Sequence, residues 1–192
     1  DDHWFPLIHL KSMMDEIDKY LIADLNPKNL NNKLPYVWKS SSFACEVLAD
    51  MHEREGNDSP MQKEALHFDG MHMRTIGCKT LTIWTYHPAS KQVLNLGIME
   101  TVAEDTECLC KMWQCVNEML QNYLGDENFS FLPYAFMCDE AYQNKKSIKE
   151  TFGQEALDRV VTCHLHYGNC AQNKKHVIRS EEHTSELQSL RH

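Results

Sequence analysis

The order of strand-like and helix-like segments constrains the fold of this chain more than any other feature of its sequence. Short runs of apolar and β-branched residues indicate strands, and apolar residues spaced three or four apart indicate helices. From residue 62 onward we predict three strands, a helix, a strand, a helix and a strand, at 66–68, 80–86, 92–99, 104–124, 133–138, 143–152 and 159–163. Consecutive strands favour an antiparallel meander, and strands that alternate with helices favour parallel pairing. The order β-β-β-α-β-α-β therefore predicts an α/β fold with a mixed sheet flanked by helices.

The first 61 residues show a different pattern. Apolar residues at helical spacing predict an amphipathic helix over 4–25, and a short helix follows near 43–53. Residues 55–60 include Gly, Asn, Asp, Ser and Pro, which interrupt regular structure. We therefore predict a mainly helical N-terminal segment at 1–61 and a second segment at 62–178.

Composition limits the classes of protein to consider. The chain is 42% hydrophobic, which is enough to bury a core. No apolar run approaches the roughly 18 residues that a membrane helix needs, so we expect no membrane partner. The net charge of −9 argues against a free-standing nucleic-acid binder, which usually carries a basic face. It does not exclude an active-site core, because such a core needs acidic metal ligands. Eight cysteines without a repeated spacing indicate a reduced intracellular protein.

The two ends of the chain give little information about function. The first residues, Asp1-Asp2-His3, look like the interior of a longer chain, so we expect a fragment. Residues 179–192 have no relation to what precedes them, and they resemble the translation of a sequencing adapter. We expect a non-native tail there and assign it no function.

Two aspartates follow predicted strands and are the main candidates for a functional site. Asp69 comes after Leu66–Phe68, and Asp139 comes after the apolar run that ends at Cys138. A carboxylate at the end of a buried strand is held rigidly and can coordinate a hard divalent cation. The alternative is that Asp69 begins a turn with Gly70 and that Asp139 caps the following helix.

Taken in order, these motifs resemble those of one protein family. The sequence is similar, over about residues 64–172, to Mutator-like (MULE) transposases and to host proteins derived from them. The matching motifs are Phe68-Asp69-Gly70, the acidic patch Ala103–Glu107, Met137-Cys138-Asp139-Glu140, the helix end Ile148–Gly153, and Cys163-His164-Leu165-His166. The resemblance implies a ribonuclease-H-like fold, a C-terminally truncated DDE/D catalytic domain and a nuclear location. It also implies DNA as the partner and a possible homo-oligomer.

The resemblance also implies a catalytic role for the two aspartates. Asp69 and Asp139 would be catalytic residues and ligands of Mg²⁺ or Mn²⁺ in DNA strand cleavage and transfer. The third acid of the family lies downstream of the Cys-x-x-His step, so we expect the chain to be catalytically incomplete. The alternative function is a domesticated, inactive DNA- or protein-binding module of the same fold. A general nuclease of this fold is a third possibility.

Several other residues have both a functional and a structural interpretation. Cys163 and His166 are zinc or structural candidates, although their surroundings match no standard zinc finger. Lys145, Lys146 and Lys149 are candidate DNA-contacting residues or a solvated helix face.

Two further pairs have mainly structural interpretations. We predict that Glu104 and Asp105 cap the long helix and that Trp84 and Trp113 belong to the core rather than stack on bases.

Overall fold

The computed structural model of the protein describes residues 5–27, 34–52, 58–72 and 78–163. The helices are α1 (Phe5–Met14), α2 (Ser42–Met51), α3 (Thr106–Leu124) and α4 (Tyr142–Phe152). The strands are β1 (Asp24–Asn26), β2 (Tyr36–Lys39), β3 (Ala65–His72), β4 (Lys79–His87), β5 (Gln92–Thr101), β6 (Ala135–Cys138) and β7 (Val160–Thr162). His166 and the predicted tail at 179–192 lie outside the described residues.

These strands form one mixed sheet in the order β1-β2-β5-β4-β3-β6-β7. Strands β3, β4 and β5 pair antiparallel as a meander. Strand β6 then pairs parallel with β3, and β7 pairs parallel with β6. Helices α3 and α4 make the two crossover connections that parallel pairing requires. The α/β class, the mixed sheet and the predicted succession of elements after residue 62 are confirmed.

The N-terminal segment contributes to the same sheet as the later strands. Strand β1 pairs with β2, and β2 pairs with β5 in the register Tyr36↔Thr101 to Lys39↔Ile98. Helix α2 adds Leu48 and Met51 to the buried core. The boundary predicted at residue 61 therefore does not separate two sheets or two cores.

The helix predicted over 4–25 is much shorter, and that prediction was wrong. Helix α1 ends at Met14, and the chain turns before β1. The Asp18 carboxylate accepts hydrogen bonds from the backbone N–H groups of Tyr20 (2.9 Å) and Ser42 (2.7 Å). An Asp that bonds nearby backbone groups competes with the helix, which explains why the helix stops before it.

Trp113 joins α3 and α4 to the sheet. Its indole makes edge-to-face contacts with Phe68 on β3, at 5.0 Å between ring centroids, and with Phe136 on β6, at 5.6 Å. A similar contact reaches Phe152 at the end of α4, and Trp113 Nε1 donates to Ser147 Oγ at 3.4 Å. Each aromatic pair is worth about 0.5–1.5 kcal/mol beyond its buried area. This cluster fixes the helix-covered face of the sheet.

The position of Trp113 also defines the opposite face of the sheet. Side chains alternate along a strand, so the neighbours of Phe68 on β3 point away from α3. His67 and Asp69 therefore lie on the face opposite Trp113.

None of the helices in the described part of the chain has the length and apolar character of a membrane-spanning segment.

Candidate functional site

The pairing of β3 with β6 brings the two predicted aspartates towards the same end of the sheet. The paired residues are Ala65↔Ala135, Leu66↔Phe136 and His67↔Met137. Asp69 lies in the second half of β3, and Asp139 directly follows β6. Neighbouring strands lie about 4.8 Å apart. The two aspartates therefore lie towards the same end of neighbouring parallel strands.

The thiol of Cys138, at the end of β6, is affected by the charges of both aspartates. Burial raises the pKa of Cys138 to about 12, and the negative charges of Asp139 and Asp69 both contribute to the rise. Electrostatic effects of this kind fall off with distance. The direction of the shift agrees with the positions of the two aspartates on and after neighbouring strands.

The two aspartates have different surroundings. Asp69 is exposed, and its backbone carbonyl accepts a hydrogen bond from Thr82 Oγ1 on β4 at 3.3 Å. Asp139 is partly buried, and its Oδ1 accepts hydrogen bonds from the Ala141 backbone N–H (2.9 Å) and from Asn144 Nδ2 (2.5 Å). These bonds orient the Asp139 carboxylate at the start of α4. The structural alternative, in which Asp139 caps α4, was wrong, because Ala141 is the N-cap residue and no side chain caps the helix start. No described residue donates a hydrogen bond to Asp139 Oδ2.

A third carboxylate, Glu104, contacts β3 at Gly70, on the face of the sheet opposite the Asp69 side chain. A Cβ atom added to Gly70 would be 2.1 Å from Glu104 Oε1, so the Glu104 carboxylate packs directly on the Gly70 backbone. Asp105 caps α3 as predicted, because its Oδ1 accepts from the Cys108 N–H at 2.9 Å. We had assigned Glu104 only to capping. Its contact with Gly70 depends on the packing of α3 against β3, and the acidic patch at the helix start was the only sequence signal for it.

Asp69 and Asp139 are a partial set of ligands for a hard cation. Carboxylate oxygens are the side-chain ligands that Mg²⁺ and Mn²⁺ prefer. Among the described residues, no group of three or more His, Cys, Asp or Glu side chains is positioned to hold a metal ion together. Asp69 and Asp139 therefore form a pair that needs further ligands, such as water or substrate phosphate, to complete a coordination shell.

Cys163 follows β7 and lies beside Cys138, the last residue of β6. Its backbone N–H donates to the Cys138 carbonyl at 2.8 Å, and its thiol is free and partly buried. His166, its proposed zinc partner, lies outside the described residues. A shared zinc site for Cys163 and His166 stays a prediction.

The three candidate lysines lie on α4, but they differ in environment. Lys145 and Lys149 are exposed, whereas Lys146 forms an ion pair with Glu150 at 3.7 Å. The charge of Lys145 lowers the pKa of Cys138, which opposes the effect of the aspartates. Lys145 is therefore the lysine whose charge acts at the aspartate site.

The predictions for the two tryptophans have different outcomes. Trp113 is fully buried at the centre of the core, as predicted. The prediction for Trp84 was wrong, because Trp84 is partly exposed and lies outside the core cluster. Its ring stacks on His67 with 3.8 Å between centroids. Since His67 and Asp69 share a face of β3, the stacked rings lie on the same side of the sheet as the aspartates.

Comparison of the chain with protein-family models, with curated proteins and with solved structures finds no match. The resemblance to Mutator-like transposases therefore stays a prediction that depends on the motifs quoted above. The geometry of the aspartate site is the evidence that bears on function.

Proposed function

We propose that the chain is a ribonuclease-H-like domain related to Mutator-like transposases, in which Asp69 and Asp139 hold Mg²⁺ or Mn²⁺ for cleavage and transfer of DNA strands. The observation that carries the proposal is the parallel pairing of β3 with β6, because Asp69 and Asp139 lie towards the same end of these neighbouring strands. The strand order β5-β4-β3-β6-β7, a meander extended by two parallel strands, supports the proposed fold. Action on chromosomal DNA in the nucleus belongs to this proposal.

The residues present suit the proposed ion. Asp69 is exposed and accepts no hydrogen bond through its carboxylate from a described residue, so both of its oxygens are available. Asp139 offers Oδ2, while Ala141 and Asn144 hold Oδ1 and fix the orientation of the group. When bound, a divalent ion of this class activates water or a hydroxyl group and stabilises charge on phosphate oxygens. The role of this chain would be to hold two negative charges rigidly beside a DNA backbone.

A second function is favoured by other features of the same site. In a non-catalytic DNA- or protein-binding module, Asp139 would have only a structural role. Its bonds to Ala141 and Asn144 would hold the turn that leads into α4. The lack of a three-residue ligand group among the described residues also favours this function. Lys145 and Lys149, both exposed on α4, would then contact phosphates without chemistry.

Calorimetric titration with Mn²⁺ distinguishes the two functions. We compare the wild type with the double variant Asp69→Asn/Asp139→Asn, which retains the shape of both side chains. The matched control is Asp126→Asn/Glu127→Gln, which removes two charges from the exposed turn after α3. The proposal expects millimolar or tighter binding by the wild type and the control, and none by the first variant. Equal binding by all three proteins, or no binding by the wild type, would favour the non-catalytic module.

A further inference from the structure

Two aromatic rings are stacked on the face of the sheet opposite Trp113. His67 on β3 and Trp84 on β4 are direct cross-strand partners. Their ring centroids are 3.8 Å apart, and the ring planes differ by 20°. Such close, nearly parallel stacking orders both rings and reduces the entropy that either would lose when a third ring stacks on the pair.

The surroundings of Trp84 differ on its two sides. On the β3 side the indole faces His67, and on the β5 side its cross-strand neighbour is Asn95. Asn95 is exposed and carries an amide that can both donate and accept hydrogen bonds. The indole is therefore bordered by a polar side chain that suits the edge of a nucleobase.

The stacked pair is close to the aspartate site. His67 precedes Asp69 by two residues on the same strand, so both point to the same face, about 6.7 Å apart along the strand. A DNA strand whose phosphate lies at Asp69 would have a base within reach of these rings.

We propose that Trp84, backed by His67, is a stacking platform for an unpaired base of the DNA strand held at Asp69 and Asp139. This inference deepens the proposed function and rests on it. Stacking on an aromatic side chain accepts any base, because every base has a π face. The platform would hold a frayed or single-stranded end beside the carboxylates, with Asn95 at the edge of the base.

The test measures binding of a fluorescent single-stranded oligothymidine to the full chain by anisotropy, in the presence of Mg²⁺. A second oligonucleotide of the same length carries abasic sites, so it has the same charge but no bases to stack. Trp84→Leu removes the ring, and Trp84→Phe retains an aromatic surface. Tyr86→Leu is the matched control, since it removes a 40% exposed aromatic ring from the same strand outside the pair. Thermal melts establish that each variant is folded.

We expect Trp84→Leu to bind oligothymidine about tenfold more weakly than the wild type, within the range for loss of one stacked base. Trp84→Phe should restore most of the affinity, and Tyr86→Leu should match the wild type. The wild type should bind the abasic strand about tenfold more weakly, and Trp84→Leu should show no such preference. Equal affinity of the wild type for both strands, or equal affinity of wild type and Trp84→Leu, overturns the platform.

Metal binding separates failure of the platform from failure of the proposed function. If the wild type binds Mn²⁺ through the aspartates but prefers neither strand, the platform is wrong and the metal site stands. If Trp84-dependent base preference occurs without metal binding, the platform stands and the catalytic proposal fails. If the wild type does not bind the oligonucleotide at all, the platform is wrong, and a protein partner for this face becomes the alternative.

Discussion

Two glycines in the sheet, on strands that flank β4, should respond very differently to the same substitution. An added Cβ at Gly97 on β5 would lie 2.1 Å from Trp38 Cη2 and 2.5 Å from Trp38 Cζ2. An added Cβ at Gly70 on β3 would also meet an atom at 2.1 Å, but that atom is the terminal Oε1 of Glu104. The two clashes are equally close, so the difference between them depends on what can move.

The buried indole is enclosed by the core, whereas the carboxylate is the end of a flexible, partly exposed side chain. Trp38 is fully buried, so Gly97→Ala forces the ring or the backbone to shift within a packed core. Overpacking of this kind costs about 1–3 kcal/mol. Glu104 is partly exposed and can rotate away, so Gly70→Ala should cost less than about 1 kcal/mol. An alanine also loses less backbone entropy than glycine in a strand, which offsets part of that cost.

Urea unfolding of the wild type and the two variants measures these differences. We expect Gly97→Ala to lower the free energy of unfolding by about 1–3 kcal/mol with little change in the denaturant slope. Gly70→Ala should unfold close to the wild type while moving the Glu104 carboxylate. Equal destabilisation by the two substitutions, or a wild-type midpoint for Gly97→Ala, would refute the close approach of Trp38 to Gly97.

Further predictions concern single side chains. Since the pKa of His67 in the folded chain is lowered from 6.5, the unfolded chain takes up a proton first as the pH falls below 6.5, and stability falls with it. In urea melts at pH 7 and pH 5, the free energy of unfolding of His67→Phe should fall less with pH than that of the wild type. The same pH dependence in both proteins would contradict a lowered pKa for His67. Ser147→Ala leaves Trp113 Nε1 without its partner and should cost about 1–3 kcal/mol in urea melts, whereas Ser147→Thr should cost less. Asp105→Ala removes the cap bond to the Cys108 N–H and should lower the melting temperature through a loss of about 1 kcal/mol, and Asp105→Asn should not. If neither alanine variant lowers the free energy of unfolding, these two hydrogen bonds add little to stability.

Local patterns in the sequence predicted most of the sheet after residue 62. Strands β4 and β5 carry long β-branched and apolar runs, and α3 has a clear apolar face with Asp105 before it. The prediction that each aspartate ends a strand holds for Asp139, which follows β6, but was wrong for Asp69, which lies inside β3 opposite Thr82. The pairing of β3 with β6 needed the structure, because no local pattern fixes which strands pair.

Short strands and covered faces could not be predicted in the same way. Strands β1 and β2 have three and four residues, too few for a periodic signal, and β2 pairs with the distant β5. Alternation along β4 shows that Ile83 and Trp84 face opposite sides, but not which side the helices cover. A shift in register between these two residues further obscures the pattern. These effects explain why Trp84 was assigned to the core.

The central claim is that Asp69 and Asp139 converge as ligands of one divalent ion. Crystals of the wild type soaked in Mn²⁺ test it most directly, because anomalous scattering locates the ion without reference to activity. We expect an anomalous peak about 2.0–2.3 Å from one carboxylate oxygen of each aspartate. We expect no peak there in Asp69→Asn/Asp139→Asn. Aspartates that point apart, or an ion held by only one of them, would rule out a shared metal site.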